Sequence, residues 1–182
     1  MRVRTDLWNQ FGANSGGSGF RLVNSTPANA LRWISDFQDD IGPQSPVIAA
    51  DGTIYAGTQH GRLVAIEPLH GQVKWNITIG GPALAALTPA VADDGTIYCL
   101  CAPNGTIRDH RTSGERGVQS FVVAVNADGS VRWRVPIRPL ADRVGTIHGE
   151  ILGAPRIVSG PQGAVRIAFV LSGGGSHALF VL

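Results

Sequence analysis

The chain has 182 residues, with 24 Gly and 11 Pro, 43% hydrophobic and only 15% charged residues, and a formal net charge of +2 from 15 Lys+Arg against 13 Asp+Glu. Disorder requires low hydrophobicity and high charge, and a helical bundle requires far more than the 3 Glu and 1 Lys found here. No run of five like charges offers a nucleic-acid tail or a polybasic membrane patch, and no 18-residue apolar stretch offers a transmembrane segment. These numbers leave an all-β protein of many short strands and tight turns.

Residues 1–28 read as a lead-in. Met1 to Thr5 is basic but no apolar region follows, so no secretory signal is present in this chain, and Phe11 to Gly19 is rich in Gly, Ser and Asn. A Trp-bearing strand is expected over 29–36, in Asn29-Ala-Leu-Arg-Trp33.

From there an internal repeat organises the chain. Ser45-Pro-Val-Ile-Ala-Ala-Asp-Gly-Thr-Ile-Tyr55 recurs 43 residues later as Thr88-Pro-Ala-Val-Ala-Asp-Asp-Gly-Thr-Ile-Tyr98, and more weakly in Ala154-Pro-Arg-Ile-Val158 with Val165-Arg-Ile-Ala-Phe169. Each copy is followed by an apolar run: Leu63 to Ile66, Val122 to Val125, Leu179 to Leu182. A Gly turn and a Trp strand then close the first two copies, Gly71-Gln-Val-Lys-Trp75 and Gly129-Ser-Val-Arg-Trp133. Asp51-Gly52, Asp94-Gly95 and Asp128-Gly129 read as two-residue hairpin turns, and Pro46, Pro89 and Pro155 as the openings of strands, where a missing N–H costs least.

Four short antiparallel strands in about 40–45 residues is the pattern of a propeller blade. The apolar runs do not alternate, so both of their faces must be covered, as blades stacked side by side would cover them. Their shortness, β-branching and flanking Gly argue against buried helices. The expected fold is therefore a partial β-propeller of four-stranded antiparallel blades within 29–182: blade 1 over 45–79, blade 2 over 88–137, and part of a third over 154–182. Blade 2 is longer, with 35 residues from Tyr98 to Trp133 against 20 from Tyr55 to Trp75. The excess is a polar loop inserted over 102–119. A second irregular stretch runs from Arg138 to Glu150.

The recurring elements, above all Ser45 to Gly57, Gly61 to Ile66 and Gly71 to Trp75, together with the opening Trp8-Asn-Gln-Phe-Gly12 up to Leu31-Arg-Trp33, resemble the PQQ-like (quinoprotein alcohol dehydrogenase-like) β-propeller repeat. The resemblance covers most of Trp8 to Leu182. It implies that Trp33, Trp75 and Trp133 dock one blade on the next, and it favours a periplasmic or secreted location. Because propellers usually have about 4–8 blades, the chain is expected to be the N-terminal fragment of a longer propeller. Its partners would then be the missing blades or another protein, and the purified chain is expected to associate.

The same repeat builds dehydrogenases, outer-membrane-assembly scaffolds and sensor or adhesion ectodomains, so the fold alone does not assign an activity. A quinoprotein enzyme would need PQQ, Ca²⁺ held by carboxylate and amide oxygens, a catalytic Asp and often a disulfide of adjacent cysteines. Cys99 and Cys101 are not adjacent. At i and i+2 of a strand they face the same side with Cα atoms roughly 6.5–7 Å apart, near the outer limit for a disulfide, and read as two buried free thiols. Asp36, Asp39 and Asp40 cluster, but Ca²⁺ takes about 6–8 oxygens, and such a cluster reads as a solvated loop; Glu67 reads as a turn residue.

The five His (His60, His70, His110, His148, His177) are dispersed, no Gly-x-Ser-x-Gly elbow occurs, and Ser172 to Ser176 reads as a turn rather than a phosphate loop. The Asn24, Asn76 and Asn104 N-x-S/T triplets carry little weight. The one departure from the repeat is the loop holding Arg108, Asp109, His110, Arg111, Glu115 and Arg116, a candidate binding loop. The expectation is a non-catalytic binding or scaffold module that uses no cofactor and binds no nucleic acid; the alternative is the N-terminal part of a PQQ-dependent dehydrogenase using PQQ and Ca²⁺.

Overall fold

The computed structural model describes residues 31–41, 44–80, 84–103, 120–137, 150–159, 165–173 and 176–181. These residues form twelve strands and no helix: β1 (Val47–Ile48), β2 (Ile54–Gly57), β3 (Arg62–Ile66), β4 (Val73–Thr78), β5 (Leu84–Ala86), β6 (Ala90–Val91), β7 (Ile97–Pro103), β8 (Phe121–Val125), β9 (Val131–Pro136), β10 (Glu150–Ser159), β11 (Val165–Gly173) and β12 (Ser176–Val181). Among them there is accordingly no helix long and apolar enough to cross a membrane.

All pairings are antiparallel and fall into three sheets that do not close on one another: β1-β2-β3-β4, then β5-β7-β8-β9 with β6 also on β7, then β10-β11-β12. We call them blades 1, 2 and 3 of a partial β-propeller. The repeat is visible in the registers. Tyr55 faces Ala65, which faces Trp75; Tyr98 faces Ala124, which faces Trp133. In both blades the ladder shifts by one residue just past that alanine.

The apolar runs behave as a doubly covered sheet requires. In blade 2, Val91, Ile97, Cys99, Cys101, Val123 and Val125 pack towards blade 1, in one cluster with Val47, Tyr55, Leu63 and Ala65. Their neighbours Ala90, Ala92, Tyr98, Leu100, Val122 and Ala124 pack the other way, with Ile157, Ile167 and Phe169 of blade 3. A strand has a side-chain period of two, so an all-apolar strand such as β8 feeds two cores at once.

Five local expectations change. Residues 31–37 belong to no sheet, because a strand exists only with a ladder partner and no described strand lies alongside. The first strand of blade 2 is longer than 88 onward: β5 and β6 pair in turn with the two halves of β7, Ala86 with Cys101 and Ala90 with Tyr98, interrupted around Thr88-Pro89. In blade 3 the equivalent strand starts at Glu150 and shifts register between Leu152 and Arg156, spanning Pro155. Pro46 and Pro89 directly precede β1 and β6, as expected, whereas Pro155 lies inside β10 at an irregularity, since proline has no N–H for a ladder.

The Asp-Gly turns are the fourth change. In each, Gly alone has positive φ (Gly52 +88, Gly95 +84, Gly129 +90) and Asp does not, whereas a two-residue type I′ turn needs both. Ala49 N–H bonds Thr53 O and Gly52 N–H bonds Ala49 O, at 2.9 and 3.0 Å, and Ala92 to Thr96 and Asn126 to Ser130 repeat the pattern. These are three-residue loops with a left-handed Gly. β7 also extends through Ala102 and Pro103, residues assigned above to the inserted loop; the remainder of that loop lies outside the described residues.

Candidate functional site

The chemistry-bearing side chains are best followed from the seams between blades. Trp75 Nε1 donates to Ala127 O at 3.0 Å, 52 residues away. Its ring lies over Gly129, whose added Cβ would come within 3.1 Å of the indole. Trp33 does the same one blade earlier: Nε1 donates to Pro68 O at 2.9 Å, and a Cβ on Gly71 would run into the ring. Trp133 packs with the blade 2–blade 3 core, 5.9 Å from Tyr98, as Trp75 lies 5.6 Å from Tyr55. Backbone and side-chain bonds add to the blade 1–blade 2 seam: Ala86 N–H to Thr58 O at 2.8 Å, Ser45 N–H to Thr88 Oγ1 at 2.9 Å, and Thr88 N–H to Gln44 Oε1 at 3.0 Å.

The carboxylates are bound up in turns. Asp51 accepts from the N–H and hydroxyl of Thr53 at 2.9 and 2.8 Å, and Lys74 Nζ donates to Thr53 Oγ1 at 2.9 Å. Blade 2 repeats this with Asp94, Thr96 and Arg132. Asp128 accepts from the N–H and hydroxyl of Ser130, and Glu67 from the N–H groups of Leu69 and His70. Partial burial raises the Asp51 carboxyl, but the bonds from Thr53 and the charge of Lys74 more than offset it, leaving it below its usual value. Asp94, Asp128 and Glu67 are lowered chiefly by the hydrogen bonds within their turns.

Asp39 is a different case. Its side chain has no exposure. It accepts from Arg62 Nε at 2.7 Å and pairs with His60 Nδ1 at 2.5 Å, while Arg62 also donates to the carbonyls of Phe37 and Gln38 at 3.3 and 3.0 Å. Burial raises the carboxyl, yet bonds from His60, Thr58, Arg62 and the Asp40 N–H hold it far below the ordinary carboxylate range. Gln38, at φ 53, is the only described non-Gly residue with positive φ. This clamp corrects the reading of Asp36, Asp39 and Asp40 as a solvated loop, since Asp39 is buried. Its partners lie 21 and 23 residues away in sequence, and no local spacing could have revealed them.

Cys99 and Cys101 are free and buried, both on the core between blades 1 and 2. The adjacent Cys101 thiol and complete burial push the Cys99 thiol well up, and its Sγ–H donates to Leu87 O at 3.1 Å. Among the described residues no three His, Cys, Asp or Glu side chains come together as a metal-ligating group. Ca²⁺ requires about 6–8 oxygens, and the Asp39 oxygens are already taken up by Arg62 and His60, so these residues do not fit a Ca²⁺–quinone site. Arg108, Asp109, His110, Arg111, Glu115 and Arg116 lie outside the described residues.

Comparison with known proteins fits this geometry. A model of the PQQ-like repeat family, described as outer membrane protein assembly factor BamB, matches residues 21–116. The chain belongs to the PQQ-like β-propeller family. Among curated proteins, none matches it. Among solved structures, the quinohemoprotein alcohol dehydrogenase from Comamonas testosteroni is similar in fold at 13% identity, with a TM-score of 0.54. That match takes in 92% of this chain, which spans 36% of the dehydrogenase. At such identity the likeness concerns the fold, and it places the PQQ-like blades in the same architecture.

Proposed function

We propose that this PQQ-like chain is a non-catalytic module that offers a binding or scaffold surface, with further blades or another protein as its partner. One observation carries the reading. The carboxylates of the two regular blades, Asp51, Asp94, Asp128 and Glu67, spend their lone pairs on turn N–H groups and hydroxyls, and the thiols sit in a core between blades. Groups committed in this way hold the architecture together rather than face a substrate. The description of the family model as an outer membrane protein assembly factor, rather than an enzyme by name, supports the same reading.

The alternative, the N-terminal part of a PQQ-dependent dehydrogenase, makes an opposite forecast. Titration of the chain with PQQ and Ca²⁺, followed by Trp fluorescence, is expected to give no saturable change. Saturation in the micromolar range would overturn the scaffold reading in favour of the dehydrogenase.

A further inference from the structure

We propose that the outer edge of β9 receives an extended acidic segment of a partner protein, with Arg134 as the residue that selects its carboxylate. The inference deepens the scaffold reading, on which it rests, by naming the chemistry of the partner.

The edge is set by the ladder. Among the described residues β9 pairs with β8 alone. Ile137 N–H meets Ser120 O at 2.9 Å, so alternation along an antiparallel ladder turns the N–H and C=O of Val135 towards β8 and those of Arg134 outward. A free strand edge is a template for a further strand. The two faces of this edge differ in chemistry. Trp133 packs into the core towards blade 3, and Val135, two residues on, shares its face. Arg134 is exposed and stands opposite Val123 on the face towards blade 1. A strand added here therefore meets an apolar face on one side and a cation on the other.

The cation is placed by a departure from the repeat. Aligned on the outer-strand tryptophans, blade 1 has Asn76 in the place of Arg134; aligned on Leu63 and Val122, it has Arg62 in the place of Phe121. In blade 1 the cation turns inward, onto Asp39 and the carbonyls of Phe37 and Gln38. In blade 2 a ring fills that place, half-buried against the core between blades 1 and 2, and the Arg134 guanidinium carbon lies over it, 3.7 Å from the centroid. Four Lys and Arg side chains are described on these two blades. Arg62 bonds Asp39, while Lys74 and Arg132 each lie 3.8 Å from an aspartate of their own blade. Arg134 has no carboxylate among the described residues. The ring holds the guanidinium by its face and leaves the N–H edge to accept the two oxygens of a carboxylate. Charge on an edge ordinarily keeps strands away; a single unpaired cation turns away a basic strand and admits an acidic one, because opposite charges stabilise cross-strand pairs.

The probe is an end-blocked, fluorescein-labelled hexapeptide of alternating Val and Glu, titrated with the full chain at low salt and followed by fluorescence anisotropy. Saturable binding is expected below about 1 mM. The Val–Gln counterpart is expected to bind about two- to fivefold more weakly, as is a hexapeptide with its three Val before its three Glu, which cannot present Glu on one face and Val on the other. Arg134→Gln is expected to bring the Val–Glu peptide down to the level of the Val–Gln peptide, with the circular dichroism spectrum unchanged. No saturable binding, equal binding of all three peptides, or a preference that survives Arg134→Gln would overturn the proposal. Self-association by sedimentation velocity that Arg134→Gln removes would seat a second copy on this edge and overturn it as well. None of these outcomes alters the quinone titration, so failure here leaves the scaffold reading standing.

Discussion

Blades 2 and 3 come from one repeat and differ in what lies beside them. Blade 2 has a blade on each side. In β8, Val122, Val123, Ala124 and Val125 alternate between two cores and all have 0% exposure. In blade 3, Ile167 and Phe169 are as well buried against blade 2, but Val158, next to Ile157 on the other face, is 41% exposed. Burial in this architecture is thus set by the neighbouring blade and not by the strand's own hydrophobicity.

Two substitutions sharpen that contrast most strongly. Val123→Asp would bury an unpaired carboxylate between blades, and Val158→Asp would place one in solvent. The first is expected to abolish cooperative unfolding or cost more than about 4 kcal/mol. The second is expected to stay within about 0.5 kcal/mol, both read by urea denaturation. Equal effects would show that the covered face of blade 2 and the outer face of blade 3 are not distinct.

The seam itself comes next. Gly71 has φ +72 and a Cβ there would run into Trp33. Gly71→Ala is expected to cost about 1–2 kcal/mol in backbone conformation, plus the displacement of the ring, and to expose Trp33 to fluorescence quenchers. Gly52, at φ +88, has nothing closer to a Cβ than Pro68 at 3.3 Å. Gly52→Ala is therefore expected to carry the backbone cost with little more, and no change in quenching.

Much of this was readable from the residues. The all-apolar Val122–Val125 run demanded two covered faces, and the spacing of Trp75 and Trp133 after their Gly turns marked outer strands; both signals are local and repeat. β5 was missed because Leu84-Ala-Ala86 neither alternates nor carries β-branched residues, and its pairing with Ala102 and Cys101 is a tertiary fact. The turn type was misread because Asp-Gly suits several hairpin loops, and only the distance between closing strands selects one. The Asp39 clamp joins Asp39 to side chains 21 and 23 residues further on, and Asp39 itself lies outside the repeat.

That clamp gives the pH dependence. The native pKa of Asp39 is depressed, so its contribution is complete above the unfolded carboxyl value of about 3.9 and is lost as pH falls towards the native value. Asp51, Asp94 and Asp128 act in the same direction. The melting temperature is expected to fall steadily as pH drops below about 4, and Asp39→Asn is expected to flatten that fall more than Asp128→Asn, since the Asp39 side chain is enclosed and bonded by both Arg62 and His60.

The smallest expected effect concerns the cations that the two regular blades share. Lys74 lies 3.8 Å from Asp51 with both side chains largely in solvent, and Arg132 lies 3.8 Å from Asp94 in the same way. Exposed pairs of this kind contribute about 0.2–1 kcal/mol. Lys74→Ala leaves the Thr53 hydroxyl still donating to Asp51 at 2.8 Å, so no buried polar group is orphaned and the loss is expected to stay under about 1 kcal/mol and to shrink in high salt. Thr53→Val, at a site 2% exposed, removes the group on which both Lys74 and Asp51 converge. It is expected to cost more than Lys74→Ala in parallel denaturation curves, because it removes the buried hydroxyl that bonds both Asp51 and Lys74. The reverse order would mean that the cation, and not the buried hydroxyl, holds the turn.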